Sequence, residues 1–328
     1  MTDAAGSSRS PRPVRNRNPR PGPYLGKKFD RRSALGLLGV GAVASVVVAC
    51  SEPTTGKTSG PVAAKTPSPS ASPSPSGNPS PSGVHGDGES GSDSLPSRDQ
   101  IVEEYEGVSP GAFGLEVSGV KLSLPQGSEA VALTLDACGG PQGSAVDEAL
   151  LETLRDLAVP VTLFINQRWA QANPTTMEGL VAEPLFEIQN HGTDHLPLSV
   201  NGRSAYGLQG TTSVAGVYDE IMGNQEFLSA EYGVTCRYFR SGTAHLDEAS
   251  AQICHDLGIT PVNFTINLDK GATLPAQTVG AQVASLSSAD IALGHVNDPA
   301  SGTGPGLAQA LPQLLADDVR FITLEEAH

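Results

Sequence analysis

Residues 186–195 have the sequence Phe186-Glu187-Ile188-Gln189-Asn190-His191-Gly192-Thr193-Asp194-His195, an apolar run that ends in two histidines four residues apart. Gly192 and the following Pro197 predict that the histidines lie on a loop after a strand, at the carboxyl end where α/β barrels place their chemistry. Neutral imidazole is a common ligand of zinc and similar ions, so the pair indicates a metal site. On this stretch alone, two loop histidines that only form local hydrogen bonds are an equal alternative.

Strand and helix patterns alternate on both sides of this stretch. Strands are predicted at residues 130–135, 161–165, 185–189, 237–239, 260–264, 291–293 and 320–323. Helices are predicted at residues 144–157 with Ser144 as a cap, at 213–229, from about 247, and at 308–315. This alternation is typical of parallel βα units, and about seven units predict an α/β fold, a distorted or incomplete (β/α) barrel. No glycine-rich loop with dinucleotide or P-loop spacing follows a predicted strand, which argues against a nucleotide enzyme.

Single polar residues stand just past the ends of the predicted strands. They are Asp136, His191, His195, Arg240, Asp269 and His295. Each one alone is typical of a loop, but parallel strands bring their carboxyl ends to one rim. Together, histidines, acids and a cation on one rim favour metal-assisted hydrolysis.

The order of these motifs resembles the polysaccharide deacetylases with a NodB-type domain, a carbohydrate esterase family 4-like group, over roughly residues 130–323. The family's His-Ser/Thr-x-x-His element is similar to residues 191–195, and its Leu-x-His element is similar to residues 293–295. Its arginine loop is similar to Arg240-Ser241-Gly242-Thr243, without the usual prolines and glycine. Asp269 stands where the family keeps an aspartate that orients the last histidine. The fold that the resemblance implies is the same incomplete barrel.

The family's first motif, Thr-Phe-Asp-Asp-Gly, corresponds here to Thr134-Leu135-Asp136-Ala137-Cys138-Gly139-Gly140. In the direct register Asp136 is the catalytic base and Ala137 replaces the metal-binding aspartate, as in a variant branch with Asp-Ala-Cys-Gly-Gly. The third metal ligand is then open, and Asp194 and His245 are spare candidates. In the alternative register, the additional residue lets Asp136 bend onto the metal, and another group is the base.

The resemblance implies a metal-dependent hydrolase that removes N-acetyl groups. His191 and His195 would hold a divalent ion, expected to be zinc with cobalt, nickel or manganese as alternatives, which polarises the acetyl carbonyl and activates a water. Asp136 would take the proton from that water, Arg240 would hold Asp136 charged and oriented, and His295 would protonate the departing amine. The expected partner is an acetylated polysaccharide, either peptidoglycan or a chitin-like polymer.

Two other functions compete with this one. An O-acetyl polysaccharide esterase would use the same ion and water. A catalytically silent lipoprotein would only bind wall glycan, and Ala137 is the feature that favours it.

The first hundred residues predict export and tethering. Residues 1–50 are interpreted as a twin-arginine and lipoprotein signal, because Arg31 and Arg32 precede a short apolar run and Val47-Val48-Ala49-Cys50 resembles a lipobox. An uncleaved anchor helix is the alternative. Residues 51–100 are predicted to be a disordered Pro/Ser-rich tether and residues 101–328 the catalytic domain. We therefore expect an exported protein of the cell envelope, lipid-anchored at Cys50 to the outer face of the bacterial cytoplasmic membrane.

Charge argues against nucleic acid as a partner. The chain of 328 residues has a net charge of −15, and residues 1–32 carry nine basic against two acidic side chains. The remainder is therefore at −22, and a body this acidic repels phosphates.

Three cysteines remain in the body of the chain. Strand and helix rises place Cys236 and Cys254 at the same depth, about 12–13 Å below the rim, so a disulfide between them is allowed. Cys138 is then expected to be free beside the site.

Overall fold

The computed structural model describes residues 95–327. The predicted signal, with Arg31, Arg32 and Cys50, and nearly all of the predicted tether lie outside the described residues. The described part begins with a helix at Arg98, whose N-terminus is capped by Ser97 in a capping box. Within residues 95–327, no helix combines the length and apolarity that a membrane crossing requires.

Helices follow most of the longer strands in the described part, as predicted, although some helices and some short strands follow one another directly. The α-helices are α1 (Arg98–Tyr105), α2 (Glu148–Asp156), α3 (Gln167–Ala172), α4 (Pro174–Ala182), α5 (Val214–Tyr232), α6 (Glu248–Asp256), α7 (Ala276–Val283) and α8 (Thr303–Ala316). The strands are β1 (Phe113–Gly114), β2 (Ala130–Ala137), β3 (Val161–Ile165), β4 (Phe186–Asn190), β5 (Ser204–Ala205), β6 (Leu208–Gln209), β7 (Tyr238–Phe239), β8 (Leu246–Asp247), β9 (Thr260–Pro261), β10 (Ile266–Asn267), β11 (Ile291–His295) and β12 (Arg320–Ile322). Short 3₁₀ turns span Gly242–Ala244 and Glu325–Ala327.

One parallel sheet organises these elements. Its strand order is β10, β11, β2, β3, β4, β7 and β9, and β12 pairs with the start of β2. Among the described residues, β9 and β10 end this order and do not pair with each other, so the sheet curls without closing. The prediction of an incomplete (β/α) barrel of about seven parallel strands is confirmed.

Strand β2 divides the interior into an apolar outer layer and a cleft. All of its residues are buried, as expected for a parallel strand covered on both faces. Alternate side chains face the helices in the main apolar cluster, and they are Val131, Leu133, Leu135 and Ala137. On the other face, Ala130 and Ala132 pack in a separate apolar cluster, whereas Thr134 and Asp136 contact Arg240. The barrel interior is therefore apolar at its base and polar at its carboxyl rim.

Two local predictions were wrong at their boundaries. Helix α2 begins at Glu148 with Asp147 as its N-cap, and the Asp147 carboxylate accepts a hydrogen bond from the Leu150 amide at 3.0 Å. Ser144 instead donates to the Gly140 carbonyl at 2.8 Å. The strand predicted at residues 260–264 has only two residues, because Val262 and Asn263 turn their carbonyl groups toward Arg240.

The disulfide between Cys236 and Cys254 is not formed, and both are free and buried. Cys236 lies in the main apolar cluster and its Sγ is 3.7 Å from the Ile188 carbonyl oxygen. Cys254 lies in a second cluster, with Ile101 of α1. The predicted bridge is therefore wrong, because the two thiols pack in different apolar clusters. Burial raises the pKa of both thiols.

Candidate active site

A buried ion pair lies at the rim between β2 and β7. Arg240 donates from Nη1 to Asp136 Oδ1 at 2.7 Å and to Thr134 Oγ1 at 3.0 Å. Its Nε and Nη2 donate at 3.2 Å to the carbonyl oxygens of Val262 and Asn263. Arg240 is fully buried, and these four hydrogen bonds hold its guanidinium in one orientation. The Asp136 carboxylate is therefore oriented by a permanently charged group.

His191 follows β4 and turns its Nε2 toward the same carboxylate. Its Nδ1 lies 2.8 Å from the carbonyl oxygen of Arg240. Because a carbonyl only accepts hydrogen bonds, Nδ1 carries a proton, and in the neutral ring the lone pair is then on Nε2. Nε2 is 3.5 Å from Asp136 Oδ2 and 3.8 Å from Cys138 Sγ. The ring is thus oriented as a metal ligand's ring usually is.

His195 is held by a loop that helix α5 secures. The buried carboxylate of Glu220 accepts hydrogen bonds from the amides of Asp194 at 2.9 Å and Leu196 at 3.0 Å. His195 itself has a left-handed φ of 62°. Its backbone packs against Gly242, where a Cβ would lie 2.2 Å from the His195 carbonyl, so only glycine fits there. Burial raises the pKa of Glu220 to about 7, although backbone hydrogen bonds oppose the shift.

One cluster of metal-ligating atoms occurs within residues 95–327. The ligand atoms of Cys138, His191 and His195 all lie within 4.8 Å of one another. Burial by itself raises the pKa of Cys138, but the charge of protonated His195 and hydrogen bonds with His191, His195 and His295 lower it well below the ordinary thiol value. The donor atoms of the cluster, two imidazole nitrogens and one sulfur, lie close enough together to bind one ion.

Neither spare ligand candidate belongs to this cluster. Asp194 is exposed, and its amide binds Glu220. The Nδ1 of His245 lies 2.7 Å from the carbonyl oxygen of Thr243, and its ring packs edge-on against Tyr206. Sequence reasoning placed Cys138 beside the site without assigning it as a ligand.

A histidine–aspartate pair lies beside Asp136, because His295 on β11 is the register partner of Asp136 on the neighbouring strand β2. His295, at the end of β11, has Nδ1 at 2.9 Å and 3.2 Å from the two carboxylate oxygens of Asp269. Thr303 at the start of α8 donates to Asp269 Oδ2 at 2.8 Å. Burial alone would lower the pKa of His295, but hydrogen bonds with Asp269 and Cys138 raise it well above the ordinary histidine value. Burial alone would raise the pKa of Asp269, yet its bonds to His295 and Thr303 lower it.

Each of these clusters contributes at least one side chain to the lining of one open cleft of about 710 Å³. Asp136, Cys138, His195 and His295 line it on the side of the sheet. The β5–β6 hairpin also contributes Tyr206 to the lining, and 78% of this residue is exposed. The cleft is large enough for a sugar unit with its substituent and is open at the surface.

Two buried polar atoms in the cleft wall have no hydrogen-bond partner within residues 95–327. They are Thr243 Oγ1 and Asn297 Oδ1. Asn297 is only 7% exposed, so its unpaired acceptor lies within the wall rather than in bulk solvent. A buried polar atom without a partner is costly, and a bound molecule can supply one.

The structure brings the six predicted residues to one end of the sheet, as two groups. Asp136, His191 and Arg240 contact one another, and the His195 ring packs edge-on against His191. His295 pairs with Asp269. The chemical roles of these residues stay predictions. Sequence reasoning missed Glu220, because it lies on a helix outside the quoted motifs and reaches the histidine loop only through the fold.

Comparisons with known proteins agree with the motifs. Residues 124–262 match the family model described as polysaccharide deacetylase. This range includes Asp136, His191, His195 and Arg240, and it ends before Asp269 and His295. A search of curated proteins found no match.

Several solved structures share the fold. Wild-type BA3943, a CE4 family pseudoenzyme from Bacillus anthracis, has 18% identity and a TM-score of 0.53, covering 64% of this chain and 69% of that one. A BA3943 mutant with restored enzymatic activity has 19% identity and a TM-score of 0.53, covering 64% and 72%. The Bc1960 peptidoglycan N-acetylglucosamine deacetylase has 20% identity and a TM-score of 0.54, covering 64% and 92%. At sequence identities this low, the structural matches show a common fold and nothing more.

Proposed function

We propose that this protein is a metal-dependent hydrolase that removes N-acetyl groups from a cell-wall or chitin-like polysaccharide, since residues 124–262 match the polysaccharide deacetylase family model. One observation carries the proposal. An ion-paired carboxylate, a ligand cluster with two histidines and a histidine–aspartate pair border the same cleft. Amide hydrolysis needs a base for water, an acid for the leaving amine and a means of polarising the carbonyl.

The chain's donor atoms fit a divalent ion of the zinc type. His191 and His195 would hold it, since the tautomer of His191 is set by its bond to the Arg240 carbonyl. Imidazole nitrogens suit zinc, cobalt and nickel, and they suit magnesium or calcium poorly. When bound, such an ion polarises a carbonyl and acidifies water.

Asp136 and His295 would move the protons. Arg240 occupies Oδ1 of Asp136 and leaves Oδ2 directed toward His191, where it can accept a proton from the attacking water. His295 is turned by Asp269 and carries a pKa well above the ordinary value, so it can donate a proton to the leaving nitrogen. Each proton transfer typically contributes about 10²–10⁴-fold in rate.

The exposed ring of Tyr206 in the cleft lining gives a sugar ring an apolar surface to lie against.

A catalytically silent glycan-binding protein is the second candidate. Ala137 packs in the main apolar cluster, so it offers no ligand where the family keeps an aspartate. The fold is also shared with BA3943, whose wild type is described as a pseudoenzyme.

An acetate-release assay separates the candidates. The full chain is incubated with N-acetylglucosamine oligomers, peptidoglycan and an O-acetylated xylan, with and without a chelator. We expect release from the N-acetylated polymers that stops with the chelator and returns with zinc. Asp318→Asn, which changes an exposed carboxylate far along the chain, is the matched control and retains full activity. Release from xylan alone would make the protein an esterase. No release from any polymer by metal-loaded protein would favour the silent protein.

We also propose that the protein works outside the cytoplasm, anchored by lipid at Cys50. The support is the lipobox-like Val47-Val48-Ala49-Cys50 after Arg31 and Arg32. Cys50→Ala should release the protein from the membrane or stall its processing. Membrane retention of a Cys50→Ala protein that is still cleaved at the same place would contradict the anchor.

A further inference from the structure

Cys138 faces the cleft because of its position in strand β2 and the turn that follows. Side chains alternate along a strand, so residues two apart share a face. Asp136 faces the cleft, Ala137 faces the apolar layer, and Cys138 returns to the cleft side. Gly139 then adopts a φ of 71°, and its amide donates to the Gly143 carbonyl at 2.9 Å, which turns the chain away. A side chain at Gly139 would lie 2.6 Å from the Trp169 amide nitrogen, so the turn requires glycine.

The distances around Cys138 suit two ligands of one ion. Zinc bonds of about 2.3 Å to sulfur and about 2.1 Å to nitrogen, at a tetrahedral angle, separate the two ligand atoms by about 3.6 Å. The observed distance from Cys138 Sγ to His191 Nε2 is 3.8 Å. The ligand atom of His195 lies within 4.8 Å of both. Asp136 is not a member of this cluster, although its Oδ2 is 3.5 Å from His191 Nε2.

We propose that the thiolate of Cys138 is the third protein ligand of the metal, in place of the aspartate that Ala137 replaces. This inference rests on the proposed metal-dependent function. As the bond between Sγ and the metal forms, the thiol proton passes to solvent and no oxidation state changes. Asp136 is then free to act as the base, with Arg240 orienting it.

A thiolate ligand has a chemical consequence that an aspartate lacks. Thiolates favour zinc and cobalt over manganese and magnesium, which prefer carboxylate oxygen. The site of this chain should therefore select thiophilic ions. It should also protect Cys138 from thiol reagents whenever the ion is bound.

Cobalt spectroscopy of the full chain tests the assignment without relying on turnover. Chelator-treated protein is titrated with Co²⁺, and wild type should bind one equivalent with a near-ultraviolet sulfur-to-cobalt charge-transfer band. Cys138→Ser should lose the band and bind cobalt more weakly by more than the ~10–100-fold that an outer-shell partner costs. Cys138→Asp should regain affinity without the band. Cys236→Ala, which removes a buried thiol outside the cluster, should keep both. An unchanged band and affinity in Cys138→Ser would overturn the proposal.

A second measurement on wild type alone covers a variant that fails to fold. Iodoacetamide labelling at Cys138, read by peptide mass spectrometry, should be fast in the chelated protein and slow in the zinc-loaded protein. Equal labelling rates in the two states, with zinc shown to be bound, would overturn the proposal. A charge-transfer band without acetate release would support Cys138 as a metal ligand and contradict the proposed deacetylase activity. Metal-dependent acetate release without the band removes only the ligand assignment.

Discussion

Two carboxylates at the candidate active site have different partners, and this difference indicates their chemical roles. Asp136 is paired with Arg240, a fully buried guanidinium that stays charged at every physiological pH. Asp269 is paired with His295, whose imidazole can gain and lose a proton and whose side chain is 13% exposed to the cleft. A fixed cation orients a carboxylate, whereas an imidazole is itself the group that reacts. This difference supports the proposed roles of Asp136 as the proton acceptor and His295 as the proton donor.

We call Asp136 with Arg240 the base half of the site and Asp269 with His295 the acid half. The two halves also differ in how well the family model covers them. The family match contains Asp136 and Arg240 but ends at residue 262, before Asp269 and His295. The assignment of the acid half therefore rests on the geometry of the structure, in particular on the 2.9 Å contact between His295 Nδ1 and Asp269 Oδ1. Experiments that treat the halves separately test this division.

The largest effect is expected at the base. Asp136→Asn removes the proton acceptor, so kcat should fall by about 10²–10⁴-fold or more, whereas the metal content of the purified protein should stay near that of wild type. The measurement is acetate release combined with elemental analysis. His191→Ala is the comparison variant and should lose both activity and metal. If Asp136→Asn loses the metal as completely as His191→Ala, Asp136 is a ligand and the division between the halves is wrong.

The effect of removing His295 should depend on the leaving group of the substrate. His295→Ala should lower acetate release from N-acetylglucosamine oligomers by about 10²–10⁴-fold, because an amine leaves only when protonated. The same variant should keep most of its activity on an aryl acetate ester, whose phenolate leaves without an acid. The ratio of the two losses is the measurement. Equal losses on both substrates would place His295 outside the proton-donor role.

Asp269 acts through His295, so its removal should change the pH profile as well as the rate. Asp269 raises the pKa of His295, and in the proposed mechanism the protonated form of His295 is the active one. In Asp269→Asn that pKa falls, so activity should decline at a lower pH than in wild type and kcat should drop about 10–100-fold. Asp269→Glu, which keeps the charge, should restore part of the alkaline activity. A loss of rate with an unchanged pH profile would indicate a purely structural role.

Glu220, which holds the histidine loop of the base half, should affect stability rather than chemistry. Its pKa is about 7 in the folded protein against an ordinary 4.5, so the folded state binds the proton more tightly. The contribution of protonated Glu220 to the free energy of unfolding is fully present below pH 4.5 and is lost as the pH rises through 7. Glu220→Gln does not titrate, so its unfolding free energy relative to wild type should improve by at most about 3 kcal/mol between pH 5 and 8. Denaturant unfolding at both pH values measures this, and a constant difference would contradict it.

The sequence by itself determined the architecture and the reactive residue types. Apolar runs such as residues 161–165 can only be buried between two layers, and their regular alternation with helical segments leaves few topologies other than parallel βα units. Strand ends in such a fold share one rim, which is why His191, Arg240 and His295 could be grouped before their contacts were known.

Only the tertiary structure decided which side chains meet. Whether Cys138 or Ala137 faces the cleft depends on the last turn of β2, where two glycines with left-handed φ angles redirect the chain. Strand and helix rises predict only the depth of Cys236 and Cys254 below the rim, whereas a disulfide also requires both thiols to pack in the same apolar cluster, and they do not. Glu220 reaches the amide of Leu196 across 24 residues of chain. Periodicity describes one element at a time, whereas these contacts join distant segments through side-chain direction, and that direction is set by packing.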